Sequence, residues 1–169
     1  LLAMIPDYVD RLCRDIERAV VQINKLGKKI VTVYIGGGTP TVLTNAELKR
    51  LLQCINRNID TKKLLEFTLE AGRPDTIDPD KLETAKNCGV TRISINPQTF
   101  NQAVLDTIGR NHTVQDIYDA YSLARKYDFN INMDLIIGLP GESKEDVAHT
   151  LNELKVLAPD SITVHSLAI

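Results

Sequence analysis

The chain has 169 residues, 43% hydrophobic and 25% charged, which suits one soluble domain with its own core. A formal charge of −2 lacks the basic excess of a general nucleic-acid binder. No run approaches the ~18 apolar residues of a membrane span, and the short apolar start Leu1-Leu2-Ala3-Met4-Ile5 lacks the basic residues of a signal peptide.

Pro6-Asp7 opens a helix on which Val9, Leu12, Cys13, Ile16, Val20 and Ile23 recur at helical spacing, and Gly27 closes it. Ile30–Ile35 reads as a β-branched strand that ends in Gly36-Gly37-Gly38-Thr39-Pro40. Thr44 with Glu47 has capping-box spacing, and Leu48, Leu51, Leu52 and Ile55 then share one helical stripe. Leu64–Ala71 is the next strand. Asp78-Pro79 is a cap followed by an N1 proline, and Cys88-Gly89 ends that helix. Val90–Ile95 is a strand, and Asn101–Ile108 a short helix stopped by Gly109. Thr113 caps a helix bearing Ile117, Ala120, Tyr121 and Ala124. Phe129–Ile137 is a strand leading into Gly138-Leu139-Pro140-Gly141. Ser143 caps a helix with Val147, Leu151 and Leu154, and Ser161–Ser166 is the last strand.

The alternation of strand and helix, roughly one unit per 30 residues, predicts a parallel sheet with helices outside it. Five strands and six or so helices fit an open doubly wound sheet or part of a TIM-type barrel, and one domain spans 1–169. Cys13, Cys54 and Cys88 are odd in number and far apart, which excludes a local CxxC-type metal site. Cys13 and Cys88 read as small buried thiols, and this cysteine usage fits a reducing cytoplasm. The chain starts without Met inside an apolar run, as expected of a piece cut from something longer.

In either architecture a ligand sits beyond the carboxyl ends of the strands. The Gly36-Gly37-Gly38 run offers bare backbone to a ligand, or makes a tight strand-to-helix turn. Glu70 closes an apolar strand, where a carboxylate needs a partner: a ligand ammonium, or a salt bridge with Arg73 or Arg92. Gln98 can read a ribose hydroxyl or pin its loop. Arg110, after Gly109, can clamp a carboxylate or sit solvated, and His112 reads as a capping or surface residue. Asp134 stands inside an apolar strand and suits a ribose diol, while Ile136 shares its face and can line a flat base. His165 reads as structural. A carboxylate for an amine, a guanidinium for a carboxylate, a diol reader and an apolar wall together suit an amino acid joined to a nucleoside.

Those residues resemble the radical S-adenosylmethionine (SAM) superfamily, and within it the oxygen-independent coproporphyrinogen III oxidase-like group. The motifs are Tyr34-Ile-Gly-Gly-Gly-Thr-Pro40, Glu70, Arg92-Ile-Ser-Ile-Asn-Pro-Gln-Thr-Phe100, Gly109-Arg-Asn-His112 and Asp134-Leu-Ile-Ile-Gly-Leu-Pro-Gly141. The resemblance runs from about residue 7 to 169. It implies a partial TIM-type (βα)6-like barrel lacking its first strand. It also implies that Gly37, Gly38 and Thr39 meet the amino end of SAM beside Glu70, that Arg110 holds its carboxylate, that Gln98 and Asp134 bind the ribose and that Ile136 lines adenine. The implied chemistry uses a [4Fe-4S] cluster that reductively splits SAM to a 5′-deoxyadenosyl radical, which attacks porphyrinogen propionates in haem biosynthesis. The implied partners are that substrate and an electron donor, with no nucleic acid and no membrane.

Two departures qualify the expectation. The CxxxCxxC cluster loop and the strand before it do not occur in these residues, so the fragment by itself is expected to be inactive, with no catalytic or metal-ligating residue of its own. Asn96-Pro97-Gln98 and Glu70-Ala-Gly-Arg-Pro74 also differ from the commoner Gly-Val-Gln and Glu-x-x-Pro, pointing to a distinct branch. The missing strand should leave Ile30–Ile35 as an unpaired edge through which the fragment self-associates. One alternative is a haem-binding or haem-delivery protein on the same scaffold. The other is an unrelated phosphate-binding barrel, disfavoured because its glycine grip belongs late in the barrel.

Overall fold

A computed structural model describes residues 4–167, so Leu1–Ala3 of the apolar start lie outside the described residues. Five parallel strands run β1 Thr32–Ile35, β2 Glu66–Ala71, β3 Arg92–Gln98, β4 Asn130–Ile137 and β5 Ser161–Ser166, neighbouring one another in chain order. They form a curled, partial TIM-type barrel of α/β class. Helices α1 Ile5–Lys25, α2 Asn45–Asn58, α3 Pro79–Asn87, α4 Gln102–Thr107, α5 Val114–Lys126 and α6 Lys144–Leu157 separate or flank the strands. β1 is shorter than the stretch predicted from its β-branched residues, because Ile30 and Val31 lie before its ladder with β2. β3 is longer, running on through Pro97 to Gln98 across a register shift beside β4.

Parallel register places directly opposed residues on the same face. Phe67, Leu69, Ala71, Ile93, Ile95, Ile131, Met133 and Leu135 are buried on the face that the helices cover. The helices present matching stripes: Val9 of α1, Leu48, Leu51, Leu52 and Ile55 of α2, Leu82 and Ala85 of α3, and Ile117, Ala120 and Ala124 of α5. The intervening strand residues, period two by pleat, form the other face and are polar: Tyr34, Glu70, Ser94, Asn96, Asn132, Asp134, Ser161 and Thr163.

The predicted helix starts hold. Thr44 and Glu47, Thr113 and Asp116, and Ser143 and Asp146 each form a reciprocal capping box, and Asp78 and Asn101 accept from the third residue of their helices. The cysteine expectation changes. Cys54, not Cys13 or Cys88, is the fully buried thiol; the other two are half-buried against the core. Burial and the neighbouring Cys54 push the Cys13 thiol up to about 12.

β1 pairs only with β2 among the described residues, so its outer edge is open. No helix of the described residues is long and apolar enough to cross a membrane.

Leu52→Ala leaves a void at a position with 0% exposure and should lower unfolding free energy by about 2–5 kcal/mol. Thr44→Ala removes only a cap and should cost about 1 kcal/mol. Urea unfolding followed by circular dichroism measures both, and equal losses would contradict this ranking.

Candidate functional site

The site is built on the polar face, at the carboxyl half of the strands. Glu70 sits next to last on β2, and its two carboxylate oxygens have different partners. The Tyr34 hydroxyl of β1 donates to Oε2 at 3.2 Å, and the Asn96 amide of β3 donates to Oε1 at 3.1 Å. Neither Arg73 nor Arg92 reaches Glu70. Arg73 makes a two-bond pair with Asp75, and Arg92 lies 3.8 Å from Glu66. Glu70 therefore holds two neutral donors and has no cation within ion-pair distance among the described residues.

The network continues across the sheet. Ser94 Oγ donates to Asn96 Oδ1 at 3.2 Å and accepts from Asn132 Nδ2 at 3.0 Å. The second proton of that amide goes to Asp134 Oδ1, while Asn132 Oδ1 accepts from Ser161 at 2.8 Å and Thr163 at 3.2 Å. All five strands contribute, and each bond runs toward a carboxylate that only accepts. Ser94, Asn96 and Asn132 are buried and mutually satisfied, whereas Glu70 and Asp134 are half-buried.

Two glycines make room for Glu70. A Cβ on Gly36 would run into the Tyr34 ring and lie 2.6 Å from Glu70 Oε2, so a side chain there would displace one of them. A Cβ on Gly72 would lie 3.2 Å from Glu70 Oε1, 3.4 Å from Asn96 Nδ2 and 3.8 Å from the Thr39 hydroxyl. Thr39 is thus a near neighbour of Glu70. Gly37 and Gly38 are exposed at φ +86° and +35°, with open space where a Cβ would be, so their backbone faces no protein atom there.

Arg110, in the loop between α4 and α5, is half-buried, and among the described residues its guanidinium makes one hydrogen bond, a long one of 3.4 Å to the Gly72 carbonyl. Burial, with Arg73 close by, holds its guanidinium below its ordinary value. It reaches the same Gly72 turn that abuts Glu70 and Thr39. Gln98 ends β3 at φ +68°, and its amide oxygen is buried without a partner among the described residues. Ile136 is half-buried on the face of Asp134 and lies opposite His165, which is exposed.

The structure thus gathers Thr39, Glu70 and Arg110 around Gly72 and links Glu70 to Asp134 through Asn96, Ser94 and Asn132. Gly37, Gly38, Gln98 and Ile136 occupy the same carboxyl end of the sheet. His112 is neither a cap nor a surface residue. It is 1% exposed, neither ring nitrogen has a well-formed hydrogen bond among the described residues, and burial outweighs the nearby Pro97 carbonyl to hold it below its ordinary value; Thr113 is the cap. The residues that sequence reasoning passed over as site residues are Tyr34, Ser94, Asn96 and Asn132. Their signal is period two: a polar residue at every second position of strands otherwise apolar.

The arrangement suits an elongated ligand. The strands of Glu70 and Asp134 are two spacings, about 10 Å, apart. A half-buried carboxylate without a cation, an under-used guanidinium, open glycine backbone and an orphaned amide oxygen fit the amino, carboxylate and hydroxyl groups of an amino-acid nucleoside such as SAM. The cysteines do not fit a [4Fe-4S] cluster. They lie on α1, on α2 and at the end of α3, in the helical layer rather than on the polar face, and the Cys13 thiol is strongly held in its protonated form.

The radical SAM superfamily matches residues 3–154. The oxygen-independent coproporphyrinogen-III oxidase-like protein HemZ of Bacillus subtilis is 47% identical over 142 residues, covering 83% of this chain and 28% of HemZ. The heme chaperone HemW of the same organism is 37% identical over 165 residues, covering 95% of this chain and 43% of HemW. Among solved structures, the radical SAM coproporphyrinogen III oxidase HemN of Escherichia coli superposes with a TM-score of 0.80 at 30% identity, covering 95% of this chain and 38% of that one. The chain spans less than half the length of these relatives.

Burial and the charges of Glu70 and Asp134 push the Tyr34 phenol up to about 12. The folded state binds this proton more tightly than the unfolded state, whose phenol titrates near 10. The stabilisation is therefore whole below pH 10 and is lost as the pH rises from 10 to 12. Glu70→Gln should lower the phenol from about 12 while burial still holds it above its ordinary value, read as the 295 nm titration difference between each protein and its Tyr34→Phe counterpart. An unchanged phenol in Glu70→Gln would contradict the contact.

Proposed function

The chain belongs to the radical SAM superfamily, and we propose that it forms the SAM-binding part of an oxidoreductase that acts on porphyrinogen propionates. The observation that carries this is Glu70, a half-buried carboxylate held by two neutral donors and left without a cation. In this reading Glu70 and the Gly37-Gly38-Thr39 backbone and hydroxyl take the ammonium of SAM. Arg110 takes its carboxylate in place of the long bond to Gly72. Gln98 and Asp134 take the ribose hydroxyls, and Ile136 packs on adenine. The chemistry SAM supplies when reduced at a [4Fe-4S] cluster is hydrogen abstraction. The cluster ligands would come from outside residues 1–169, and no step is assigned to this chain's own cysteines.

The 47% identity to an oxidase-like protein favours oxidative decarboxylation. A second reading, haem handling on the same scaffold, is favoured by the heme chaperones at 36–37% identity over 95–98% of the chain. Haem titration followed at the Soret band, beside a coproporphyrinogen decarboxylation assay on the protein encoded by the whole reading frame, separates them. Decarboxylation without stoichiometric haem binding supports the first reading, and the reverse supports the second.

The ligand assignment is tested by calorimetry with SAM. The 169-residue chain should bind it, and Glu70→Gln and Asp134→Asn should each weaken binding about tenfold to a hundredfold. Affinity unchanged in both variants would remove the assignment. The open outer edge of β1 is proposed to pair with a second copy of this chain. Sedimentation should then show concentration-dependent dimers that a Thr32→Pro change, which removes an amide on the open edge while Val33 keeps its bonds to β2, reduces. Monomers at every concentration would exclude this pairing.

A further inference from the structure

The site residues read from the motifs do not include the groups that hold them. Glu70 and Asp134 lie on different strands and do not touch. They are joined by an unbroken run of three buried neutral side chains whose hydrogen bonds all point outward to the two carboxylates. Asn96 has one route to Glu70 because its oxygen is engaged by Ser94. Ser94 can only accept from Asn132 because its one proton is committed to Asn96. Asn132 is fixed at its other end by Ser161 and Thr163. No member can rotate without leaving a buried polar atom unpaired, which costs more than the bond itself contributes.

We propose that Asn96, Ser94 and Asn132 form a positioning relay, completed by Tyr34, that fixes Glu70 for the ammonium of an α-amino-acid nucleoside, while Asp134 at the ribose end keeps its own bond from Asn132. The inference rests on the reading of Glu70 and Asp134 given above. Asn96 is its specificity element. Its amide proton orients Glu70 Oε1 while Tyr34 orients Oε2, leaving the remaining lone pairs of both oxygens for a cation. Ligands with an amino-acid end should depend on Asn96, whereas ligands with the ribose and base alone should not. A side chain that merely supported the sheet would affect both classes alike.

The experiment compares two ligands on the 169-residue chain by calorimetry: SAM, and 5′-methylthioadenosine, which has the ribose and base but no amino-acid end. The parent chain should prefer SAM. Asn96→Gly, which removes the amide, should weaken SAM about tenfold and leave methylthioadenosine within about twofold. Ser94→Ala, one bond further back, should reproduce the same selectivity at about threefold. Tyr34→Phe removes the other donor from an exposed edge position and carries the same test should Asn96→Gly not fold: it too should weaken SAM selectively. Equal weakening of both ligands, or none, in a folded Asn96→Gly or Tyr34→Phe protein overturns the relay while leaving the SAM reading intact. A parent chain that binds SAM no better than methylthioadenosine overturns the reading of Glu70 and the relay with it.

Discussion

The polar face of the sheet must satisfy itself. A parallel sheet covered by helices on both sides reads as continuous apolar strands. This one places Ser94 at 1%, Asn132 at 2% and Asn96 at 7% exposure on a face that no helix stripe matches. Such groups are tolerated only when each donor finds an acceptor. The network meets that demand by running from the outer strand β5 inward and terminating on carboxylates, which accept and never donate. Glu70 and Asp134 are thus required by the sheet's own hydrogen-bond accounting as well as by any ligand.

This dual demand explains why the site can exist preformed. Glu70 in a purely apolar strand would be costly to ionise. Here the Tyr34 hydroxyl and the Asn96 amide stabilise the charge without neutralising it, so the carboxylate remains able to attract a cation. Had Arg73 or Arg92 paired with it, the attraction would have been spent internally. Each of those arginines instead has its own acid, Asp75 and Glu66. The glycines at 36 and 72 belong to the same solution, because any larger residue would press on the Glu70 oxygens or on the groups that orient them.

Much of the architecture was legible because it is local. Capping boxes, the N1 proline at Pro79 and the leucine stripe of α2 are decided within one or two helical turns, and strands of β-branched residues between them leave little choice of sheet. The residues expected at the carboxyl ends of the strands do lie there. What local pattern could not reach was pairing. Whether Glu70 met Arg73, Arg92 or neither depends on which strands neighbour and in what register, and Asn96 bonds across 26 residues of chain. His112 illustrates the same limit: nothing local to its loop shows that it folds inward beside Pro97 and becomes buried. Cys54 likewise looked unremarkable beside the leucines of α2, but it lies against the Cys13 carbonyl of α1 and is the most buried thiol.

Asn96 also bears on how freely Glu70 can move. Its amide ties Glu70 to Ser94, and through it to Asn132 and Asp134. A carboxylate held at both oxygens has less freedom to follow a ligand and loses less entropy on meeting one. The consequence is rigidity rather than new chemistry: Glu70 is held at both oxygens by neutral donors before any cation arrives.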